Sequence, residues 1–371
     1  MVLLILTILL FLAYSWLIFY YYQGWHSIPD YVPATGDPDV FISVIIPARN
    51  EEKNIGDLLE SLVKQHYPRD RFEMIVVDDH STDHTVAIAS GVEGVRVIRL
   101  MDTPGNAQKK RAIETAIGIA RGELLVTTDA DCVAPANWLH TLASFYRAKN
   151  AVFIAGPVVY SGGTNVLERF QILDFLTLQG ITGASVHKQL HAMCNGANLA
   201  YTREAFDKVG GFEGIDHIAS GDDMLLMYKI WKAYPGRVCY LRSADAIVST
   251  QPAATFREFI RQRIRWASKA SRYEDKRIFR ALLLVYLFNL SFLALLIAGF
   301  WAPIFWAYFV LLLLAKTAIE YPFVRTVSLF FNKQHLLKHF IFFQPLHIAY
   351  TLAAGWLGQF GTYEWKGRRV R

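Results

Sequence analysis

Apolar and polar positions divide the chain into two kinds of territory. Three stretches carry no Asp, Glu, Lys or Arg: Met1 to Phe19, the 35 positions from Ala281 to Ala315, and the 24 positions from Phe340 to Tyr363. A helix needs about 20 such residues to cross a bilayer. The first stretch therefore predicts one crossing, and the second predicts two with a break near Gly299 to Pro303. The third holds Gln344, Pro345, His347 and three glycines, and predicts a re-entrant or interfacial segment. The first stretch lacks a basic start and a small-residue cleavage site and ends in the aromatic "FYYYQGW", so an uncleaved anchor is expected rather than a signal peptide.

Between the first stretch and Arg257, short apolar runs alternate with helical spacing. "FISVII" at 41–46, "EMIVVDD", "VRVIRL" and "ELLVTTDADC" read as strands, while "NIGDLLESLVKQ", with Ile55, Leu58, Leu59 and Leu62 on one face, and "QKKRAIETAIGIARG" read as helices. That alternation predicts an α/β fold with a doubly wound, mostly parallel sheet. The expected organisation is an anchor at 1–22, a soluble domain at 23–255, an amphipathic interface helix at 256–280, a membrane hairpin at 281–322, and an interfacial helix with the third apolar segment and basic tail at 323–371.

Ligands of doubly wound sheets bind beyond the carboxyl ends of the strands. Here those ends are acidic: Glu51, the pair Asp78 and Asp79, and the pair Asp129 and Asp131. A single Asp after a strand is an ordinary turn residue. Several carboxylates at one sheet edge need a cation or hydrogen-bond donors between them. The "DAD" triplet suits Mg2+ or Mn2+, which take one or two protein carboxylates together with phosphate oxygens. Asp222 and Asp223 follow Gly221 at a probable helix start, where the helix dipole alone would explain acids.

Composition sharpens the membrane assignment. Apolar residues make up 53% of the chain and charged residues 19%, and much of the net charge of +6 sits beside the apolar runs. Nine Lys or Arg fall between Arg257 and Arg280, and the chain ends "KGRRVR". Placement next to apolar runs points to anionic membrane lipids as partners and away from nucleic acid. Cys132, Cys194 and Cys239 form no CxxC pair, which fits a reducing compartment and neither a zinc site nor a disulfide framework. His187 and His191 in "HKQLH" lack the Glu of a zinc-protease motif.

Inside the basic block, Gln262, Arg265, Trp266 and Lys269 share one helical face, and Phe256, Ile260, Ile264 and Ala267 form an apolar stripe. Orientation in the membrane explains basic residues such as Arg261, Arg263, Arg272 and Arg277. It does not require a Gln and a Trp beside Arg265.

The ordered motifs "SVIIPARNEE", "VVDDHSTD", "ARGELLVTTDADC", "CNGANLAYTREAF", "GGFEG", "SGDDMLL" and "QRIRW" resemble those of the family 2 glycosyltransferases, inverting enzymes of the GT-A fold, over roughly residues 41 to 270. The resemblance implies that Pro47, Arg49, Glu51, Asp78 and Asp79 line the nucleotide, that Lys109 lies near phosphate, and that Asp129 lies near the ribose or metal. It implies Asp131 as the ligand of Mg2+ or Mn2+, Asn198 and Asp222 on the acceptor side, and Asp223 as the base. It also implies that Gln262, Arg265 and Trp266 form the QxxRW motif, with Arg265 at the diphosphate. Two departures stand out: Gln108 precedes Lys109 where the family has Gly, and Asp222 stands where Glu is usual. The expected partners are a UDP-sugar or similar donor, a lipid or glycan acceptor, and membrane lipids. Few membrane segments follow QxxRW, which favours glycolipid synthesis over a polysaccharide synthase in a bacterial inner membrane, with the catalytic domain cytosolic. An inactive scaffold of the same fold is the other class that these residues allow.

Overall fold

The computed structural model describes residues 1–36, 38–101, 107–218, 221–269, 274–360, 363–365 and 368–370. Arg272, Arg371 and part of the basic tail lie outside the described residues.

Helix α1 (Val2–His26) leads into an α/β core that alternates as the apolar pattern predicts. The sequence of elements is β1 (Ile42–Ala48), α2 (Ile55–Val63), β2 (Phe72–Asp78), α3 (Thr85–Ser90), β3 (Val95–Arg99), α4 (Gln108–Ile119) and β4 (Leu124–Thr127). Ile55, Leu58, Leu59 and Leu62 are all fully buried, so the helical spacing of α2 faces the sheet. The next elements are β5 (Cys132–Val133), α5 (Trp138–Lys149), β6 (Phe153–Ala155), β7 (Val158–Tyr160) and α6 (Val166–His187). Then come β8 (Leu199–Thr202), α7 (Arg203–Lys208), α8 (Asp222–Ala233), β9 (Val238–Tyr240) and β10 (Val248–Thr250).

The main sheet has the order β3-β2-β1-β4-β8-β6-β9. Strand β1 runs parallel to β2 and β4, β2 to β3, and β6 to β9, whereas β8 is antiparallel to both β4 and β6. The sheet is thus mixed and mostly parallel, as in the GT-A fold. A small sheet, β5-β10-β7, stands beside it. Strand β1 reads ISVIIPA and is apolar on both faces, because helices cover both.

Past β10 the chain enters α9 (Phe256–Ala267), α10 (Lys276–Ala298), α11 (Ile304–Phe330) and α12 (Phe340–Phe360), and ends in the hairpin β11 (Tyr363–Trp365) and β12 (Arg368–Val370). Helix α9 opens on a capping box: Glu258 N–H donates to Thr255 Oγ1 at 3.2 Å and Thr255 N–H to Glu258 Oε2 at 3.2 Å. Four helices, one N-terminal and three C-terminal, are long and apolar enough to cross a membrane by length and composition. The first extends to His26 and the hairpin's second arm to Phe330, past the ends at 22 and 322 expected for the anchor and the hairpin.

Helix α12 crosses the hairpin instead of running beside it. Near its start Gln344 accepts from Lys316 Nζ at 2.5 Å and donates to Glu320 Oε2 at 2.6 Å, and Glu320 lies ten residues before the end of α11 at Phe330. Further on, a Cβ at Gly355 would stand 2.8 Å from the ring of Tyr286, which lies ten residues after the start of α10 at Lys276. Ten residues of helix span about 15 Å, so α12 meets both arms at similar depth. It also runs along α9, with the rings of Phe259 and Tyr350 5.2 Å apart.

Candidate functional site

The carboxyl ends of β1, β2 and β4 open onto a cavity of about 910 Å³. Pro47, Arg49, Glu51, Asp79, Asp129 and Asp131 all lie on its wall. Arg49 donates to the carbonyl of Asp79 at 2.6 Å and lies 3.7 Å from its carboxylate, joining the first two strand ends. Glu51 accepts from Asn54 Nδ2 at 2.8 Å.

Asp78 sits behind Asp79, away from the wall. Successive strand residues point to opposite faces, and Asp78 is buried with its carboxylate accepting from Ser81 N–H at 3.2 Å, off the cavity wall. It braces the turn that presents Asp79.

Lys109, at the start of α4, joins two acidic motifs. Its ammonium lies 2.7 Å from Asp129 Oδ1 and 3.2 Å from Asp222 Oδ2. Burial works against the charge on Lys109, but Asp129 and Asp222 outweigh it and hold its pKa well above the ordinary lysine value. Asp222 is the reciprocal case: burial pushes it up, and Lys109, Lys269 and Lys110 together pull it below the usual carboxylate range. The Lys before Asp222 and Asp223 in space is thus fixed by its partners, although Gln108 replaces the usual Gly.

Gly221, at φ +79°, is the N-cap of α8, a backbone conformation that suits glycine. It sets Asp222 and Asp223 in the first turn. Asp223 Oδ2 accepts from Gly196 N–H at 3.2 Å, and Oδ1 accepts from Met224 N–H at 2.8 Å.

Asn198 lies behind the cavity wall. It is fully buried, donating to the carbonyls of Pro157 at 2.9 Å and Ala246 at 2.8 Å and accepting from Trp138 Nε1 at 3.0 Å. Its three side-chain hydrogen bonds tie α5 to the loops before β7 and β10, and it lies off the cavity wall. Asn195, three residues earlier in the same "CNGAN", lies on the wall with Gly196 and Ala197.

Gln262, Arg265 and Trp266 of α9, and Lys269 just past its end, all line the cavity. Arg263 does too, and it is not a lipid-facing cation. It is 4% exposed, pairs with Asp174 of α6 at 2.6 Å, and stacks 4.3 Å from the Trp266 ring and 4.6 Å from that of Phe259. It also donates to Gln262 Oε1 at 3.0 Å, which Tyr160 approaches at 3.4 Å. Residues Tyr160, Asp174 and Asn195 were not anticipated; the one available signal was Asp174, a lone acid in the apolar run "QILDFLTL". His191 is buried and neutral: burial lowers its pKa to about 4, and its Nε2 meets Tyr21 Oη at 2.9 Å and Ser185 Oγ at 3.1 Å.

Among the described residues no three His, Cys, Asp or Glu side chains gather as a metal cage. A metal held by Asp131 and phosphate oxygens needs no such cage, so the residues present fit Mg2+ or Mn2+ in that form.

Residues 43–210 match the model of glycosyl transferase family 2. The match spans the α/β core from β1 to α7 and takes in the acidic ends of β1, β2 and β4. The chain is 29% identical over 240 residues to the probable glycosyltransferase YdaM of Bacillus subtilis, covering 61% of this chain and 54% of that protein. It is 26% identical over 181 residues to the beta-monoglucosyldiacylglycerol synthase of Nostoc sp., covering 46% of this chain and 38% of that protein. It therefore spans about half or less of these relatives' length. The mannosyltransferase PcManGT from Pyrobaculum calidifontis, solved with GDP-Man and Mn2+, superposes with a TM-score of 0.61 at 22% identity, covering 97% of each chain. That likeness shows a shared fold that takes in the four long apolar helices.

Proposed function

We propose that the protein moves a sugar, with inversion, from a nucleotide-diphosphate donor to a membrane lipid. The observation that carries this reading is the continuity of the cavity, whose wall includes Asp79, Asp131, Asp223 and Arg265 together with Leu17 of α1 and Leu282 of α10. A donor site that opens among helices apolar enough to cross a membrane suits an acceptor that resides there. The named substrate of the Nostoc relative and the GDP-Man and Mn2+ of the Pyrobaculum protein support the same reading.

In this reading Arg49, Glu51 and Asp79 hold the nucleotide, and Lys109 keeps Asp129 and Asp222 ordered beside it. Asp131 would hold Mg2+ or Mn2+, whose charge screens the donor diphosphate. Asp223 accepts the proton of the acceptor hydroxyl as its oxygen bonds to the anomeric carbon and the carbon–oxygen bond to the diphosphate breaks. Arg265 stabilises the charge on the departing nucleoside diphosphate, and Gln262 and Trp266 frame the acceptor entrance. Nucleotide sugars are cytosolic, which places the domain at 23–255 inside a bacterial inner membrane and the N-terminus outside. On the same reading α12 does not complete a crossing and the basic tail is cytosolic, in keeping with the positive-inside tendency.

The test is a screen of radiolabelled UDP- and GDP-sugars with the purified full chain in vesicles of native lipid. Label in solvent-extractable lipid is the expected result. Label in insoluble polymer would instead assign a polysaccharide synthase, and no incorporation from any donor would leave a scaffold.

A further inference from the structure

The cavity has a second limb that donor chemistry does not use. It runs among α1, α6 and α10, where Leu17, Ile18, Leu178, Ile181 and Val285 give it a mainly apolar wall, with Tyr14, Tyr21 and Gln179 among its polar groups. This limb is not closed toward the membrane. Phe279, Leu282 and Leu283 of α10 line the cavity while remaining 39%, 43% and 43% exposed, and Trp356 of α12 lines it at 61% exposed. Residues that belong to both the inner wall and the outer surface mark a mouth between the first turns of α10 and the last turns of α12.

The level of that mouth follows from the helices. Leu283 lies seven residues after the start of α10 at Lys276, about 10 Å along the axis. The end of α12 rests on the end of α9, where a Cβ at Gly358 would stand 2.9 Å from Ala267 Cβ. Deeper in, Gly355 against Tyr286 brings α10 and α12 together and closes the gap. The mouth therefore opens in the leaflet adjoining the soluble domain. Its rim faces hydrocarbon, and its inner end joins the pocket of Asp223 and Asn195.

We propose that this limb binds the hydrocarbon chain of an amphiphilic lipid carrying a hydroxyl head, which enters sideways from that leaflet between Phe279–Leu283 and Trp356–Gln359. The proposal rests on the transfer reading above. It adds the route, the leaflet and the chemical class of the acceptor: a long apolar chain seated in the limb, with its head directed to Asp223. On transfer, the head hydroxyl passes its proton to Asp223, its oxygen takes the anomeric carbon, and the nucleoside diphosphate leaves.

The experiment uses the full chain in phosphatidylcholine/phosphatidylglycerol vesicles with a diacylglycerol probe bearing a photoactivatable diazirine in one acyl chain. Labelled peptides are mapped by mass spectrometry. The expected result is labelling at cavity-facing positions such as Leu178, Ile181 and Leu282. Labelling confined to outward positions that do not line the cavity, such as Leu290, Leu293 or Leu311, would overturn the proposal. In parallel, Leu282→Trp should raise the KM for vesicle lipid or cut transfer by about tenfold or more, while Leu290→Trp on the outer face should not. Equal transfer by the two variants would count against the mouth, and the labelling arm stands even if Leu282→Trp misfolds. Cavity labelling without sugar transfer from any donor would support the lipid site and remove the transfer reading; transfer without cavity labelling would do the reverse.

Discussion

The buried pair between Asp174 and Arg263 offers a direct test of how the membrane-side helices hold the QxxRW face. Both side chains are 4% exposed and meet at 2.6 Å, and Tyr350 of α12 donates to the other oxygen of Asp174. Asp174→Asn keeps the volume and can still accept from Tyr350, but it leaves the Arg263 cation without a counter-charge. Removing one partner from a buried pair costs about 3–5 kcal/mol, whereas replacing both by apolar groups of similar shape is often neutral. Thermal unfolding of the purified protein in detergent should therefore show a large loss for Asp174→Asn and substantial recovery for Asp174→Leu combined with Arg263→Met. Turnover should separate from stability. The double variant lacks the 3.0 Å bond that orients Gln262 and the guanidinium that stacks on Trp266, so its kcat should stay low after its fold is restored. Wild-type melting by Asp174→Asn, or recovery of both stability and kcat in the double variant, would refute the reasoning.

Asp223→Asn should lower kcat by roughly 10²–10⁴-fold, the usual contribution of a positioned base, with donor affinity by calorimetry nearly unchanged; retained turnover would remove it as the base. Asp131→Ala should abolish the response of transfer to added Mn2+ or Mg2+, and a normal metal titration would reject the ligand assignment. Lys110 is pushed down to about 8, chiefly by burial, with Asp222 opposing. Its folded pKa lies below the ordinary 10.5, so the unfolded chain holds more protons between those values, and stability should rise as pH climbs from about 8 toward 10.5. Lys110→Met should flatten that part of the stability profile relative to the native chain; an identical slope would mean that Lys110 keeps its ordinary pKa.

The sheet and the strand-end acids were legible because both follow short-range rules. A run such as ISVIIPA is a buried strand wherever it occurs, and the binding edge of a doubly wound sheet follows from its topology. What the sequence left open were choices between near-identical neighbours. Asp78 and Asp79 are adjacent acids, and only the pleat at the end of β2 decides which faces the cavity. Asn195 and Asn198 belong to one motif, and the carbonyls of Pro157 before β7 and Ala246 before β10 decide that Asn198 is held in the core.

Arg263 and Arg265 pose the same problem on a helix. Spacing assigns them to different faces but does not say which face meets water, lipid or protein. The deciding partner, Asp174, is 89 positions away on α6. The apolar stripe read as membrane-facing was likewise divided by tertiary contacts: Phe256 is 48% exposed, while the buried positions of α9 are Phe259 and Arg263. A helix lying on a bilayer needs one apolar face, but α9 is clasped between α12 and the domain beneath it, so a charge can be buried on it once its partner is supplied. The same logic explains the polar cluster farther in. Lys316 lies 2.7 Å from Glu320 and bonds Gln344, and Tyr14 donates to Glu320, so α1, α11 and α12 are tied together at a depth where unpaired charges would be expelled. An i,i+4 pair inside an apolar run was readable at Lys316 and Glu320; that it would anchor a helix lying across the hairpin required knowing where Gln344 falls.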